Sequence, residues 1–195
     1  MRLIAWDVDD VLNDLMSCWL EEAWRPAQRH GAPAFGELTA NPPNRLLGVP
    51  LTDYLASLDT FRLSGRYARM APRPDVAEWF QQHGSQWQHL ALTAVPLRAA
   101  SVSAEWVTRH FGTWVRSFHF VPSLRPGDPA SAGHRSKEEF LRWHGKVDAF
   151  VDDSPEHVAA ASRLGIPALL FPRPWNGSSE TVAEVLDELQ ERLLS

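Results

Sequence analysis

Cysteine is nearly absent from this chain: among 195 residues there is one, Cys18, so no intramolecular disulfide can form and a disulfide-stapled scaffold is excluded. Lysine is almost as scarce. Of 19 basic residues only Lys137 and Lys146 are lysines, so chemistry that needs an ammonium has two candidates. No apolar run is long enough to span a membrane, and the opening MRLIAWDVDD reaches carboxylates before a signal-peptide core can develop, so the expected compartment is the cytoplasm. Positive charge is not in excess either. Nineteen Lys and Arg against 24 Asp and Glu leave a formal charge of -5, the wrong sign for a protein that tracks a nucleic-acid polymer. Repeats, heptads and low-complexity tracts are lacking. The eight histidines show no His-x₃-His or His-Glu-x-x-His spacing, which leaves zinc unsupported.

What is present suits one compact domain with or without a small insert: 44% of residues are hydrophobic and 22% charged. Short apolar runs predict strands near 2–7, 88–93, 117–121, 147–152 and 168–171, none joined by a two-residue hairpin signal. Helical patterns lie between them. Pro74 opens one with Val76, Trp79 and Phe80 on a face; a second covers 97–111 and ends at Gly112; a third runs from Ser154-Pro155 to Gly165; a last one opens at Ser178 or Ser179. Strands alternating with helices imply right-handed crossovers, so the expected fold is α/β, a doubly wound Rossmann-like parallel sheet of about five strands. The long interval between the first two strands predicts an insert. Within it, 15–30 is helical in pattern, 31–50 is rich in Pro, Gly and Asn, and 51–58 suits a short helix. The expected division is therefore a core of 1–14 and 73–195 and a mainly helical cap of 15–72.

Ligands of such sheets bind beyond the carboxyl ends of the strands, which directs attention to Asp7, Thr93 and Asp152-Asp153. Asp7-Val8-Asp9 places two acids where a strand ends, able to share one cation. A calcium loop starting at Asp7 would need Gly and Glu where the chain has Leu12 and Cys18. An unspecialised acidic turn remains the plain alternative for this doublet alone. Asp152-Asp153 follows a second apolar run, and in a parallel sheet both doublets fall at one edge, where the repulsion calls for a divalent cation. Oxygen-only ligands point to Mg²⁺.

Asp7-Val8-Asp9, Thr93, Lys137 and Asp152-Asp153, in that order, resemble the motifs of the haloacid dehalogenase superfamily of phosphatases across nearly the whole chain. The resemblance implies Asp7 as nucleophile, Asp9 as general acid and base with a pKa raised by crowded carboxylates, and Thr93 with the Ala94 amide as phosphate-binding groups. Lys137 would neutralise the phosphoryl group; Lys146 is the poorer candidate and Arg135 the fallback. Mg²⁺ would be held by Asp7, the Asp9 carbonyl and Asp153, with Asp152 behind them or reaching the ion through water, and Ser154 is read as a helix cap. Two positions depart from the pattern. Asp10 stands where Gly is usual, a negative charge that must point away or be paired, and Val11 stands where Thr is commoner.

A second resemblance, carried by Leu92-Thr-Ala-Val-Pro, Glu105-Trp-Val, His110-Phe-Gly, Phe150-Val-Asp-Asp-Ser-Pro and Leu170-Phe-Pro-Arg-Pro-Trp-Asn, is to the 5'(3')-deoxyribonucleotidase group. It implies a nucleoside monophosphate substrate. That group's aromatic floor is replaced by Leu15, leaving Trp19, Trp24, Phe35, Tyr54, Phe61 or Tyr67 to stack on a base or simply to pack. Trp79, Trp106 and Trp143 occupy apolar helix positions and need no function. The expected activity is Mg²⁺-dependent phosphomonoester hydrolysis through an aspartyl phosphate. The alternatives are a phosphatase or phosphotransferase for a sugar phosphate or other metabolite, and a phosphate-binding module without turnover; a dehalogenase needs neither Asp9 nor the metal.

Overall fold

A computed structural model describes residues 1–27, 31–126, 128 and 133–194. Five strands, β1 (Leu3–Trp6), β2 (Gln88–Val95), β3 (Val115–Pro122), β4 (Ala149–Asp152) and β5 (Ala168–Leu170), form one sheet in the order β3-β2-β1-β4-β5. Every neighbouring pair is parallel. Strand sequences alternate between two cores. Ile4, Trp6, Ala91, Ala149 and Val151 face one side, while Ala5, Leu90, Leu92 and Phe150 face the other. Helices α5 (Pro74–His83), α6 (Leu97–Phe111) and α9 (Val182–Leu194) cover the first face; α7 (Lys137–His144) and α8 (Pro155–Arg163) cover the second. This is the expected doubly wound, three-layer α/β architecture. Among the described residues no helix is long and apolar enough to cross a membrane.

The interval between β1 and β2 is helical, with boundaries that differ from the sequence pattern. The segment expected at 15–30 consists of α1 (Leu15–Trp19), a π-helical turn at Leu20–Trp24 and α2 (Arg25–Ala27); residues 28–30 lie outside the described residues. The short helix expected at 51–58 runs on as α3 (Leu51–Arg62) because Phe61 continues its buried face. A further helix, α4 (Gly65–Arg69), is capped by Ser64, whose hydroxyl accepts from the Arg66 amide at 3.2 Å. Where the chain leaves and re-enters the sheet, Asn13 and Pro72 form an antiparallel bridge and the Arg73 amide donates to the Leu12 carbonyl at 3.0 Å.

Three other expectations need correction. Thr93 is not the last residue of its strand: β2 and β3 stay paired through Val95 and Pro122, so the strand runs two residues further. The last helix does not open at Ser178 or Ser179 but after Thr181, where Glu184 accepts from the Thr181 amide at 2.7 Å and Thr181 Oγ1 accepts from the Glu184 amide at 3.2 Å. That reciprocal pair is a capping box. Trp143 is not a core residue. It flanks the buried face of α7 and is 69% exposed, its ring 4.9 Å from that of His134 and 6.0 Å from that of Phe140. Trp79 and Trp106 are buried as expected.

An aromatic cluster fixes β1 from below. The Trp6 ring meets those of Trp79 at 5.3 Å and Phe80 at 5.1 Å, and its indole Nε1 donates to Nδ1 of buried His89 at 3.0 Å. His89 Nε2, which must then carry the proton, donates to the Gly84 carbonyl at 2.8 Å. Both ring nitrogens are used only by the neutral imidazole, and burial lowers the His89 pKa from 6.5 to about 4. The unfolded chain therefore binds a proton between these values that the folded chain refuses, so stability falls as pH drops through this window and changes no further below it. The loss should approach 3 kcal/mol. Unfolding free energies from urea titrations at pH 7.5 and 4, for the wild type and for His89→Gln, whose amide does not titrate, should differ by that amount more in the wild type; equal losses in the two proteins would contradict it.

Candidate active site

The strand order reverses direction at β1. The chain winds β1, β2, β3 to one side and returns to β4 on the other, so the carboxyl ends of β1 and β4 flank a crevice. Asp7 follows β1, its amide donating to the Val151 carbonyl at 2.9 Å, while Asp152 ends β4 and Asp153 comes next. Lys137 enters from below as the first residue of α7, which starts there because Ser136 Oγ accepts from the Glu139 amide at 3.1 Å. Phe140 and Leu141, one turn on, bury the same face of the helix and carry the lysine stem inward. The side chain is 1% exposed, and its ammonium lies 2.8 Å from Asp7 Oδ1 and 2.7 Å from Asp152 Oδ2.

One carboxylate oxygen each from Asp7, Asp152 and Asp153 lies within 4.8 Å of the others. Burial pushes the Asp7 pKa up to about 6, with Lys137 opposing and Asp152 adding to the rise. Burial, then Asp152, Asp7 and Asp10, push Asp153 well above the usual carboxylate range. Asp152 goes the other way: burial opposes its charge, but Lys137 and His157 hold it below that range. Both its oxygens are used. Oδ2 takes Lys137, and Oδ1 takes the Ser154 amide at 2.9 Å and His157 Nδ1 at 3.1 Å. Asp152 is fully buried and stands behind Asp7 and Asp153, which line the cavity. A set of hard oxygens with one ammonium among three carboxylates is short of positive charge, and it fits a divalent cation of the Mg²⁺ kind. Ser154 is the N-cap of α8, accepting from the His157 amide at 3.4 Å.

Asp9 departs from expectation. Its carboxylate is not among the crowded acids but is gripped by four donors: Arg62 Nε at 3.2 Å and Nη2 at 3.0 Å on Oδ2, with the Tyr67 hydroxyl at 2.9 Å and Asn13 Nδ2 at 3.1 Å on Oδ1. Arg62 also reaches buried Asp59 at 3.3 Å, and Asp59 receives Arg125 at 2.7 Å and Arg98 at 2.8 Å. Burial opposes the charge of Asp59, yet Arg125 and Arg98 hold its pKa low. The sequence reading missed this network because it ended the helix at Leu58. The pair Asp59 and Arg62, spaced i,i+3, was the available sign that the helix continues.

Asp10 takes the left-handed conformation that glycine favours, φ 67°, which Asp tolerates better than most residues. Its Oδ1 accepts from the Met16 amide at 3.0 Å and lies 3.8 Å from Arg173 Nη2, while Arg173 Nε donates to its carbonyl at 2.6 Å. Burial raises its pKa to about 7 against the pull of Arg173. The extra acid is thus paired with a helix start and a cation.

These groups surround a cavity of about 620 Å³. Asp7, Asp9, Thr93, Ala94, Lys137 and Asp153 all line it. Lys146 does not: it borders a second hollow at the opposite end of the sheet, and Arg135 is exposed. Of the six aromatic candidates in the insert only Tyr54 lines the cavity; Trp19, Trp24, Phe61 and Tyr67 pack in the core, and Phe35 stands edge-on to Trp175 at 5.9 Å. Trp175, Arg62, Ser123 and His157 line it as well and were not anticipated. Trp175 Nε1 donates to Asp153 Oδ2 at 2.8 Å, fixing that carboxylate from the far side.

No protein-family model and no curated protein matches the sequence. Solved structures do. A haloacid dehalogenase-like hydrolase from Streptococcus pneumoniae superposes with a TM-score of 0.62 at 12% identity, over 99% of this chain and 98% of that one. A HAD family hydrolase from Deinococcus radiodurans R1, determined with bound phosphate and sodium, gives 0.60 at 15% identity over 100% and 97%. A HAD-superfamily hydrolase of subfamily IA from Geobacter sulfurreducens gives 0.55 at 15% over 97% and 96%. At these identities the likeness is one of fold, and the chain has the fold of the haloacid dehalogenase-like hydrolases.

Raised carboxyl pKa values make the metal-free site less stable as pH rises, since the folded state holds protons that the unfolded chain has released. Between about pH 4 and pH 6, where Asp7 titrates, that penalty grows, and a cation relieves it. Mg²⁺ at a hundredfold excess over its Kd should raise the melting temperature at pH 7.5 by about 5–10 °C. The rise should be smaller at pH 5. Asp153→Asn should melt higher than the wild type in EDTA and respond little to Mg²⁺; a variant that keeps the full Mg²⁺ shift would remove Asp153 from the cation site.

Proposed function

We propose that the protein is a Mg²⁺-dependent phosphomonoester hydrolase that works through an aspartyl phosphate on Asp7. The observation that carries this reading is the placement of Asp7, Lys137 and Asp153 around one cavity at the β1/β4 crevice. A phosphate dianion needs positive charge there, and the bound cation would supply it while fixing a phosphoryl oxygen. Asp7, Asp153 and the Asp9 carbonyl would hold that cation, with Asp152 behind them aiming Lys137. Thr93 and Ala94 flank the space left for the phosphoryl oxygens.

In the first displacement an Asp7 oxygen bonds to phosphorus, the ester P–O bond breaks, and the leaving alkoxide takes a proton from Asp9. In the second, Asp9 takes a proton from water as the water oxygen bonds to phosphorus, the Asp7–phosphorus bond breaks and inorganic phosphate leaves. Asp9 serves in this way once substrate displaces part of its four-donor shell. Residues 15–72 act as a cap whose neck is the Asn13–Pro72 bridge; Leu15, Met16, Asn41, Pro42, Tyr54, Leu58 and Arg62 are its contribution to the cavity wall. Arg173, 3.8 Å from Asp10, offsets the charge that had favoured a binding module without turnover, although Asp10 still lines the cavity.

Trp175, whose part-buried ring lines the cavity, supports a nucleoside monophosphate, deoxy or ribo, as substrate, since an aromatic face there can stack on a base. Asn41, Ser123 and Glu156 favour the second reading, a sugar phosphate or related small metabolite. Phosphate release from nucleoside monophosphates, sugar phosphates and p-nitrophenyl phosphate should require Mg²⁺ and stop in EDTA. Asp7→Asn should lower kcat by at least about a thousandfold, as the loss of a nucleophile does, with unchanged circular dichroism. Residual turnover near the wild-type rate would sink the nucleophile assignment.

A further inference from the structure

The hollow at the amino-terminal end of the sheet has a volume of about 800 Å³ and takes no part in the chemistry above. Two tryptophans line it. Trp87, just before β2, is buried and stacks on Trp79 at 5.7 Å and 13°. Trp114, just before β3, is part-exposed and packs so closely on Gly84 that a Cβ there would come within 2.7 Å of its ring. Val147 extends the apolar lining, and His89 adds a ring whose two nitrogens are already taken by Trp6 and Gly84. Two cations join them. The register of β2 and β3 slips by one residue at this end: His89 pairs with Val115 and Leu90 with Ser117, so Arg116 is the extra residue of a bulge, a device that re-aims a side chain at a sheet edge. Lys146 arrives because Gly145, at φ 67°, takes the left-handed conformation that ends α7 and turns the chain toward β4.

Both cations are uncommitted. Among the described residues no carboxylate lies within ion-pair distance of Arg116 or Lys146, and Arg116 makes only a 3.4 Å bond to the Thr113 carbonyl. The acid of the lining, Asp148, uses Oδ2 to accept from the Leu3 amide at 2.7 Å. In a chain with a formal charge of -5, two unpaired cations beside a tryptophan-lined hollow are a local reversal of sign. From this arrangement we infer that the hollow is a second ligand site, which takes a small molecule that joins a planar aromatic ring to an anionic group. The ring packs against the Trp114 side of the hollow, where an aromatic partner gains more than an aliphatic one of equal area. The anionic group meets Arg116 and Lys146. Two charges on separate segments suit one small anion and are too few to track a polymer of phosphates. The site involves no bond-making step and is independent of the hydrolase reading.

Three probes separate the two requirements: 2-naphthoate has ring and charge, 2-naphthamide the ring alone, and cyclohexanecarboxylate the charge alone. Binding to the full chain is followed by NMR through the tryptophan indole N–H signals, with those of Trp87 and Trp114 identified by Trp87→Phe and Trp114→Phe. Trp175, at the opposite cavity, reports separately on the candidate active site. 2-Naphthoate should move the Trp114 and Trp87 signals with a Kd of about 0.1–1 mM, the range open to a ligand of this size. The other two probes should bind about fivefold or more weakly. Arg116→Gln and Lys146→Gln, both exposed in the wild type, should each weaken 2-naphthoate about two- to fivefold, as an exposed ion pair does, and leave 2-naphthamide unchanged. The double variant should bring the two naphthyl probes level. Shifts confined to Trp175 would place the anion in the other cavity and overturn the inference. So would equal binding of 2-naphthoate and 2-naphthamide by the wild type, undiminished 2-naphthoate binding in the double variant, or no shift of either signal up to about 10 mM, tenfold above the weakest expected Kd.

Discussion

A shortage of positive charge around Lys137 governs the carboxyl edge of this sheet. Asp7, Asp152 and Asp153 are brought together by strand geometry, and taking carboxylates out of water is tolerable only where partners replace the lost solvation. One ammonium serves two of them. Asp152 receives the fuller share, with a backbone amide and an imidazole besides, and becomes the fixed member of the group. Asp7 and Asp153 are left with less, which is why their charge is the one that a cation can still stabilise. The neighbouring acids draw on separate cations. Asp9 is given to Arg62, Asp59 to Arg125 and Arg98, and Asp10 to Arg173. Lys137 is therefore not shared beyond the pair it touches among the described residues.

Much of this edge was legible in the sequence because it depends on short-range order. An apolar run that stops at Asp7 and another that stops at Asp152 can only be parallel strands with acids beyond their ends, and a lysine after a serine cap is a helix start whatever the helix packs on. The misreadings have a common cause. Thr93 falls inside β2 because β3 is long enough to keep pairing, and a strand's length is a property of two segments. Trp143 looks apolar in sequence, but α7 turns Lys137, Phe140 and Leu141 inward and leaves it outside. Arg62 meets Asp9 only because α3 forms part of the cavity wall, a placement that no local pattern encodes.

Asp10 shows a different limit. A residue type predicts a preference, and glycine at this position signals a left-handed backbone; aspartate there reads as an intrusive charge. Both readings miss that a short acid can adopt that backbone and at the same time cap the helix that begins a few residues later. His157 and Trp175 were hidden for a simpler reason. Each lies within a stretch quoted for other residues, and each gains meaning only from the acid it touches.

The position of β1 in the middle of the sheet bears on how the chain acquires its structure. Ile4 pairs with His89 on one side and Ala149 on the other, and Arg173 arrives from beyond β5 to hold the carbonyl of Asp10. Such distant pairings are slow to form, because the entropy of closing long loops is lost before any contact compensates for it. A growing chain therefore carries the apolar segment Leu3–Trp6 with only β2 to pair on until β4 has been made, and fragments that stop short of β4 leave its other side as an unpaired edge prone to association.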